Sequence, residues 1–426
     1  MFVLYRIIVA LLFYCSLPLL LFGILVSGRH RQGLGQRFGY YPSVLFQQAG
    51  EKTIWVHASS VGEVQAARTI IHAIKSHQPG ARIILTVMTV HGWRVAQSQL
   101  GDEVECLLAP LDVPGIVARA IAAIRPDIYV CLETELWPVL IDGLARNGVR
   151  LCMANGRISR KSYGTYRRVR FLVRHTMEQF DKIAVISARD QDRFVALGAA
   201  AECVKAEGNV KYDVVLPAEH IMQAEQYREL LGINGMEVFV AGSTHGDEEV
   251  ELAWLYKELQ KKKDTLFIVA PRHLERLPAI TATMEQEKIS YQLFTMLASG
   301  KEQRRASMIL VDTMGELAVL YGLADFIFCG GSLALRGGHN IMEAAVWHKA
   351  VFYGPHMDDF HDAVWLLESV GGGFKVDNVA DLKSRIEYFQ NQPQEYERAC
   401  QQAGEAAEAQ QGSAARQVSF LLSGVY

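Results

Sequence analysis

The 426-residue chain has no CxxC pair and no two cysteines close together. Cys15, Cys106, Cys131, Cys152, Cys203, Cys329 and Cys400 are scattered, mostly within apolar runs. That excludes a zinc ribbon or a disulfide frame and fits buried thiols in a reducing compartment. A basic footprint is also missing: net charge is −3, so no nucleic-acid partner is expected. Half the residues are hydrophobic, which excludes disorder. No repeat shorter than a domain occurs, and composition is biased only near the Ala/Gln/Glu-rich C-terminus. The length leaves room for two large domains, each with its own core.

One long uncharged run is present. From Ile7 to Val26 no charged residue occurs, and about 20 such residues suffice to cross a hydrocarbon core. Arg29, Arg31 and Arg37 follow it, against Arg6 before it, an asymmetry that keeps the body in the cytoplasm. The thin n-region and the lack of an A-x-A site disfavour a cleaved signal peptide. Residues 1–28 are therefore expected to be a membrane anchor at the bacterial inner membrane. Pro18 interrupts the predicted helix, so a segment lying in the interface is the second form of that expectation.

Past the anchor, short apolar runs alternate with helical stretches. Residues 53–57, 82–87, 104–108, 128–132, 151–154 and 183–186 read as strands, and a second series runs 238–241, 266–270, 308–311, 326–329 and 350–353. Such alternation indicates parallel, doubly wound sheets. The predicted class is α/β, with Rossmann-like domains over 29–218 and 236–426 facing a cleft, joined by a polar helical linker at 219–235. Ligands are expected beyond the carboxyl ends of the strands.

The stretch 326–355 organises the second series. Its first apolar run ends in Gly330-Gly331-Ser332, and Gly337-Gly338 precedes His339-Asn340 and a predicted helix over 341–347. Glycines ahead of a helix let backbone N–H groups close on an anion, which the helix N-terminus also favours. This reads as a nucleotide site, against the plainer alternative of an ordinary tight turn. Glu343, one turn into the helix, suits a ribose diol. Gly242-Ser243-Thr244 looks like an anion cradle, although Ser-Thr is also N-cap chemistry. Arg272, after Pro271, suits phosphate or base, with a surface ion pair to Glu275 as the alternative. Met314-Gly315-Glu316 marks a fourth strand-to-helix junction.

The first series has its own candidates. Glu63 follows Gly62 at a helix start, as a base or a dipole-compensating acid. Glu133 and Glu135 follow one strand, Asn155-Gly156-Arg157 another, and Lys211 lies in Gly208–Asp213, for a leaving phosphate or simply solvated. Asp190-Gln191-Asp192 imitates a metal-binding DxD but sits at a helix start, where acids complement the dipole. Arg160, Lys161, Arg167, Arg168, Arg170 and Arg174, with Tyr163 and Tyr166, form a basic cluster for anionic head groups.

HASSVGE (57–63), ETELWP (133–138), GNVKYD (208–213), PRHLER (271–276), DTMGEL (312–317) and GGSLALRGGHNIMEAA (330–345) resemble the signature blocks of the bacterial 3-deoxy-D-manno-octulosonic acid (Kdo) transferase family, in family order. The resemblance implies a GT-B fold, with the acceptor in the N-terminal half and CMP-Kdo in the C-terminal half. It implies Kdo transfer to a lipid A precursor, lipid IVA, with inversion and with no metal or cofactor, beside inner-membrane lipid. It makes Glu63 the general base and Glu133 and Lys211 the transition-state stabilisers. It places nucleotide contacts at Pro271, Arg272, Met314, Gly315, Glu316, Asn340, Ile341, Met342 and Glu343. Gln36 and Gly156 depart from the family pattern, where glutamate and alanine are usual. The rival readings are another GT-B enzyme with a different nucleotide sugar, and a membrane-tethered scaffold without turnover.

Overall fold

Strands apolar on both faces need cover on both sides, which a parallel sheet wrapped in helices supplies. The computed structural model describes residues 2–27, 32–42 and 52–424, and the chain divides into two units. Arg29, Arg31 and the expected boundary at 28–29 lie outside the described residues.

Unit 1, Met1–Asp213 with Gly412–Tyr426, contains strands β1 (Thr53–Ala58), β2 (Arg82–Val87), β3 (Glu105–Leu108), β4 (Ile128–Leu132), β5 (Arg150–Gly156), β6 (Lys182–Val185) and β7 (Val204–Ala206). All pair in parallel, in the order β3-β2-β1-β4-β5-β6-β7. Neighbouring residues of β1 serve opposite cores, as the pleat requires: Trp55 packs with Tyr129 and Phe194, while Ile54 and Val56 pack with Ile70 and Ile71.

Unit 2, Val214–Gln411, repeats the plan with β8 (Glu237–Thr244), β9 (Thr265–Pro271), β10 (Tyr291–Leu293), β11 (Met308–Leu310), β12 (Phe326–Cys329), β13 (Val351–Tyr353) and β14 (Gly373–Lys375). Their order is β10-β11-β9-β8-β12-β13-β14, again all parallel. Strand order reverses between β1 and β4 in unit 1 and between β8 and β12 in unit 2. The loops leaving those strands are where ligands bind in such sheets.

Four expectations need correction. The second domain does not run to residue 426. Asp213 accepts from Gly412 N (2.6 Å) and Ala414 N (2.8 Å), and the helix Ser413–Leu422 buries Val418, Leu421 and Leu422 in the core of unit 1. The Ala/Gln/Glu-rich bias hid a helix with one apolar face. Nor is 219–235 a linker. The helix Ala218–Leu230 belongs to unit 2, where Tyr227 meets the Phe294 ring at 5.1 Å and donates to Glu316 (2.7 Å). Pro18 does not interrupt the N-terminal helix α1, which is continuous over Phe2–Ser27. One proline removes one N–H bond, too little to end so long a helix in an apolar setting. The helix predicted over 341–347 is shorter than expected, Met342–Ala345.

Candidate active site

At the switch point of unit 1, β1 hands over to the helix Val61–His77 through Ser59-Ser60. Ser60 Oγ accepts from Glu63 N (3.4 Å) and donates to Glu63 Oε1 (3.0 Å), while Ser59 N donates to Oε2 (2.7 Å). This reciprocal arrangement is a capping box, reason enough for a glutamate here. A plain cap, however, is exposed, and Glu63 is only 8% exposed. Burial raises its carboxyl to about 7, helped by the Glu135 and Glu133 carboxylates and opposed by the Ser59 and Ser60 bonds. A carboxylate tuned to neutrality is suited to taking a proton from a hydroxyl.

Glu133 leaves β4 with φ +56°, a strained position for a glutamate, and its N–H donates to Ala154 O (2.9 Å). Its carboxylate takes Arg157 Nε on Oε2 (2.8 Å) and Lys211 Nζ on Oε1. Asn155, also left-handed (φ +54°), accepts from Val210 N (3.0 Å) and so fixes the turn that carries Lys211. Lys211 is thus no solvated lysine. Glu135 accepts from Trp137 Nε1 (3.0 Å). The Asp190 carboxylate is engaged by Ser187 Oγ (2.5 Å), Ile158 N (3.0 Å) and Arg193 (3.5 Å), a structural use.

In unit 2 the glycine loop does hold an anion, but the anion is the chain's own. Glu248 is buried, and its carboxylate accepts from the N–H groups of His245 (2.8 Å), Gly331 (2.7 Å), Ser332 (3.1 Å), Leu333 (3.0 Å) and Ala334 (3.2 Å). At the expected cradle Gly242–Thr244, Thr244 Oγ1 donates to Glu249 (3.0 Å). Acids in the first turn of Glu248–Gln260 thus take the N–H groups of the glycine loop and the Thr244 hydroxyl.

What remains open lies around Arg272, at the end of β9. It is exposed and has no ion pair among the described residues, since Glu275 pairs with His273 (3.1 Å) instead. Arg276, by contrast, is held by Glu249 (3.0 and 3.1 Å). Asn340 donates to Glu343 Oε1 (3.3 Å), whose carboxyl protein crowding raises and Asn340 and Arg272 lower. His339 Nε2 lies 3.0 Å from His245 Nε2 with the rings stacked, both against Gly331. Burial, then the neighbouring His245, Arg272 and His273, lower His339 to about 4. Met314 is 57% exposed beside Gly315, on the strand end next to Arg272's. A free guanidinium with an adjacent amide–carboxylate pair can take a phosphate and sugar hydroxyls.

A family model for 3-deoxy-D-manno-octulosonic-acid transferase (kdotransferase) matches residues 32–214. A 3-deoxy-D-manno-octulosonic acid transferase of Haemophilus influenzae is 31% identical over 377 residues, 87% of this chain and 86% of that protein. The chain belongs to this family. A bifunctional glycosyltransferase/methyltransferase of Fusobacterium nucleatum is 32% identical over 344 residues, 80% of this chain but 53% of that protein, so this chain spans about half its length. A glycosyltransferase structure from Rickettsia africae matches with TM-score 0.54 over 88% of this chain and 100% of that one, at 13% identity, a likeness of fold. The fold is GT-B, and the protein is a glycosyltransferase.

For this Kdo transferase family member, the structure brings Glu63, Glu133 and Lys211 into one cluster. It brings Arg272, Asn340 and Glu343 into another. Pro271 closes β9. Ile341 and Met342 are 1% and 2% exposed, so only their backbone can meet a nucleotide. Glu316 is drawn to Tyr227 and Gln223 (3.4 Å). The sequence marks Asn155-Gly156-Arg157 after a strand without giving Arg157 a role; the Glu248 anchor and the His245–His339 pair are not marked, since both depend on contacts between distant loops.

Proposed function

We propose that the protein transfers Kdo from CMP-Kdo to a lipid A precursor (lipid IVA) with inversion, at the cytoplasmic face of a bacterial inner membrane. The observation that carries this is the cluster at the switch point of unit 1, where a carboxyl near pH 7 adjoins an ion-paired Glu133–Lys211–Arg157 group. Glu63 takes the proton of the attacking acceptor hydroxyl, which is a poor nucleophile without a base. Glu133, held by two cations, offers negative charge to an oxocarbenium-like sugar. Lys211 and Arg157 balance Glu133 while Lys211 offsets charge on the departing phosphate. Donor binding falls to unit 2, through Arg272 on phosphate and Asn340 and Glu343 on the nucleoside. A single phosphate in the leaving group keeps its charge within reach of these side chains, and the reading assigns no metal or cofactor.

The test is product mass from purified enzyme supplied with CMP-Kdo or a UDP-sugar and a tetra-acylated disaccharide phosphate. The expected result is a Kdo adduct and CMP release with CMP-Kdo alone; turnover of the UDP-sugar instead overturns the reading. In the same preparation, Arg272→Ala is expected to weaken donor binding by calorimetry about tenfold or more, the loss of one charge-assisted contact. An unchanged dissociation constant removes Arg272 from the donor site.

A further inference from the structure

Helix α1 has a sidedness that its uniformly apolar sequence hides. Phe2, Tyr5, Val9, Phe13 and Ser16 are half-buried at helical spacing, while Val3, Ile7, Leu11, Leu19, Phe22 and Val26 are exposed. The half-buried side is docked on unit 1. Phe2 lies 4.3 Å from the His175 ring, Phe13 lies 6.2 Å from Phe38, and Tyr5 packs against the core. Arg6 pairs with Asp142 (3.1 Å), a carboxylate 7% exposed that Arg146 also holds (2.9 Å). From residue 2 to residue 17 the helix follows the folded protein for about 23 Å.

We infer that α1 lies in the plane of the membrane surface, its exposed stripe sunk into the acyl region of one leaflet, and does not cross the bilayer. Its length and composition would allow a crossing. Its contacts forbid one. A crossing α1 with these contacts intact would carry the Asp142 carboxylate and the Arg146 guanidinium into hydrocarbon, where ionised groups are costly. In-plane burial by about 5–10 Å covers the stripe and leaves those groups among head groups. Lipid is also what the surroundings fit. Arg170 is exposed on the helix Arg170–Met177 that meets Phe2, Arg167 and Arg168 are exposed just before it, and Phe171, 56% exposed, extends the apolar surface beside a hollow of about 390 Å³. Cations beside an apolar stripe suit an anionic leaflet.

This inference rests on the membrane location proposed above and not on which sugar is moved. Two measurements on the full chain test it. The first is flotation with phosphatidylethanolamine–phosphatidylglycerol vesicles. Wild type is expected to float, and Ile7→Asp with Leu11→Asp to lower the bound fraction about tenfold or more with CMP-Kdo affinity unchanged. The second is protease access to an epitope placed before Met1, in sealed inner-membrane vesicles of both orientations. The epitope is expected to be cut only where the folded body is also exposed. Wild type that fails to float overturns the membrane location itself. Flotation with the epitope cut only from the opposite side overturns the in-plane placement alone, and a stable dimer through α1 that leaves the stripe lipid-free also overturns it.

Discussion

Unit 1 and unit 2 each place a glutamate in the first turn of the helix that follows the central strand, and they use it in opposite ways. Glu63 has two donors, Ser59 N and Ser60 Oγ, and two carboxylate neighbours. Glu248 has five backbone N–H donors. Burial first, then the like charge of Glu135 and Glu133, carries the Glu63 carboxyl to about 7 against only those two donors, whereas five N–H bonds tie the Glu248 carboxylate into the scaffold. Position in the topology does not decide the role. What surrounds the carboxylate does.

The sharpest way to break this comparison is at Glu248. Glu248→Ala leaves five N–H groups without their acceptor and is expected to cost about 3 kcal/mol or more, read as a lower unfolding transition in calorimetry, with donor binding lost alongside. Unchanged stability would mean that the loop does not depend on its internal anion. Next comes Lys211→Met, which strips one cation from buried Glu133. Turnover is expected to fall about a hundredfold or more with CMP-Kdo affinity within about twofold, measured by single-turnover assay and calorimetry. Equal losses in both would make Lys211 a donor contact instead.

Much of this was legible in the chain. Alternating apolar runs and helices gave the doubly wound class, and strand ends marked Glu63, Glu133 and Arg272 as candidates, with Lys211 marked near the domain junction. Glycine spacing could not reveal that Glu248, more than eighty residues earlier, fills the loop, because that contact exists only once β8 and β12 pair. Biased composition likewise concealed the return of Ser413–Leu422 to unit 1, since its apolar face appears only when the helix is wound. The partner of Lys211 was hidden for the same reason: residue 133 meets residue 211 through the order β4-β5-β6-β7.

Smaller effects sharpen the comparison. Gly331 has φ +66°, and a Cβ there would lie 3.1 Å from both imidazoles. Gly331→Ala is therefore expected to cost about 1–2 kcal/mol and to weaken the donor site, checked by denaturant titration and calorimetry. Gly156→Ala, with its Cβ 3.1 Å from Val185 Cγ1 and 3.2 Å from the Phe194 ring, is expected to cost about 1 kcal/mol or less, with donor affinity untouched. An alanine there needs a small shift of those two side chains.

The claim that matters most is that Glu63 acts as a base, and the pH dependence of single-turnover Kdo transfer at saturating donor tests it directly. Glu63 must be ionised to accept a proton, and burial places its folded value near 7 against an ordinary 4.5. The rate is therefore expected to climb about tenfold per pH unit below 7 and to level off above it. Glu63→Ala is expected to bind donor normally and lose both the rate and this limb. A Glu63→Ala enzyme that still transfers Kdo, with the ascending limb intact, would contradict the account.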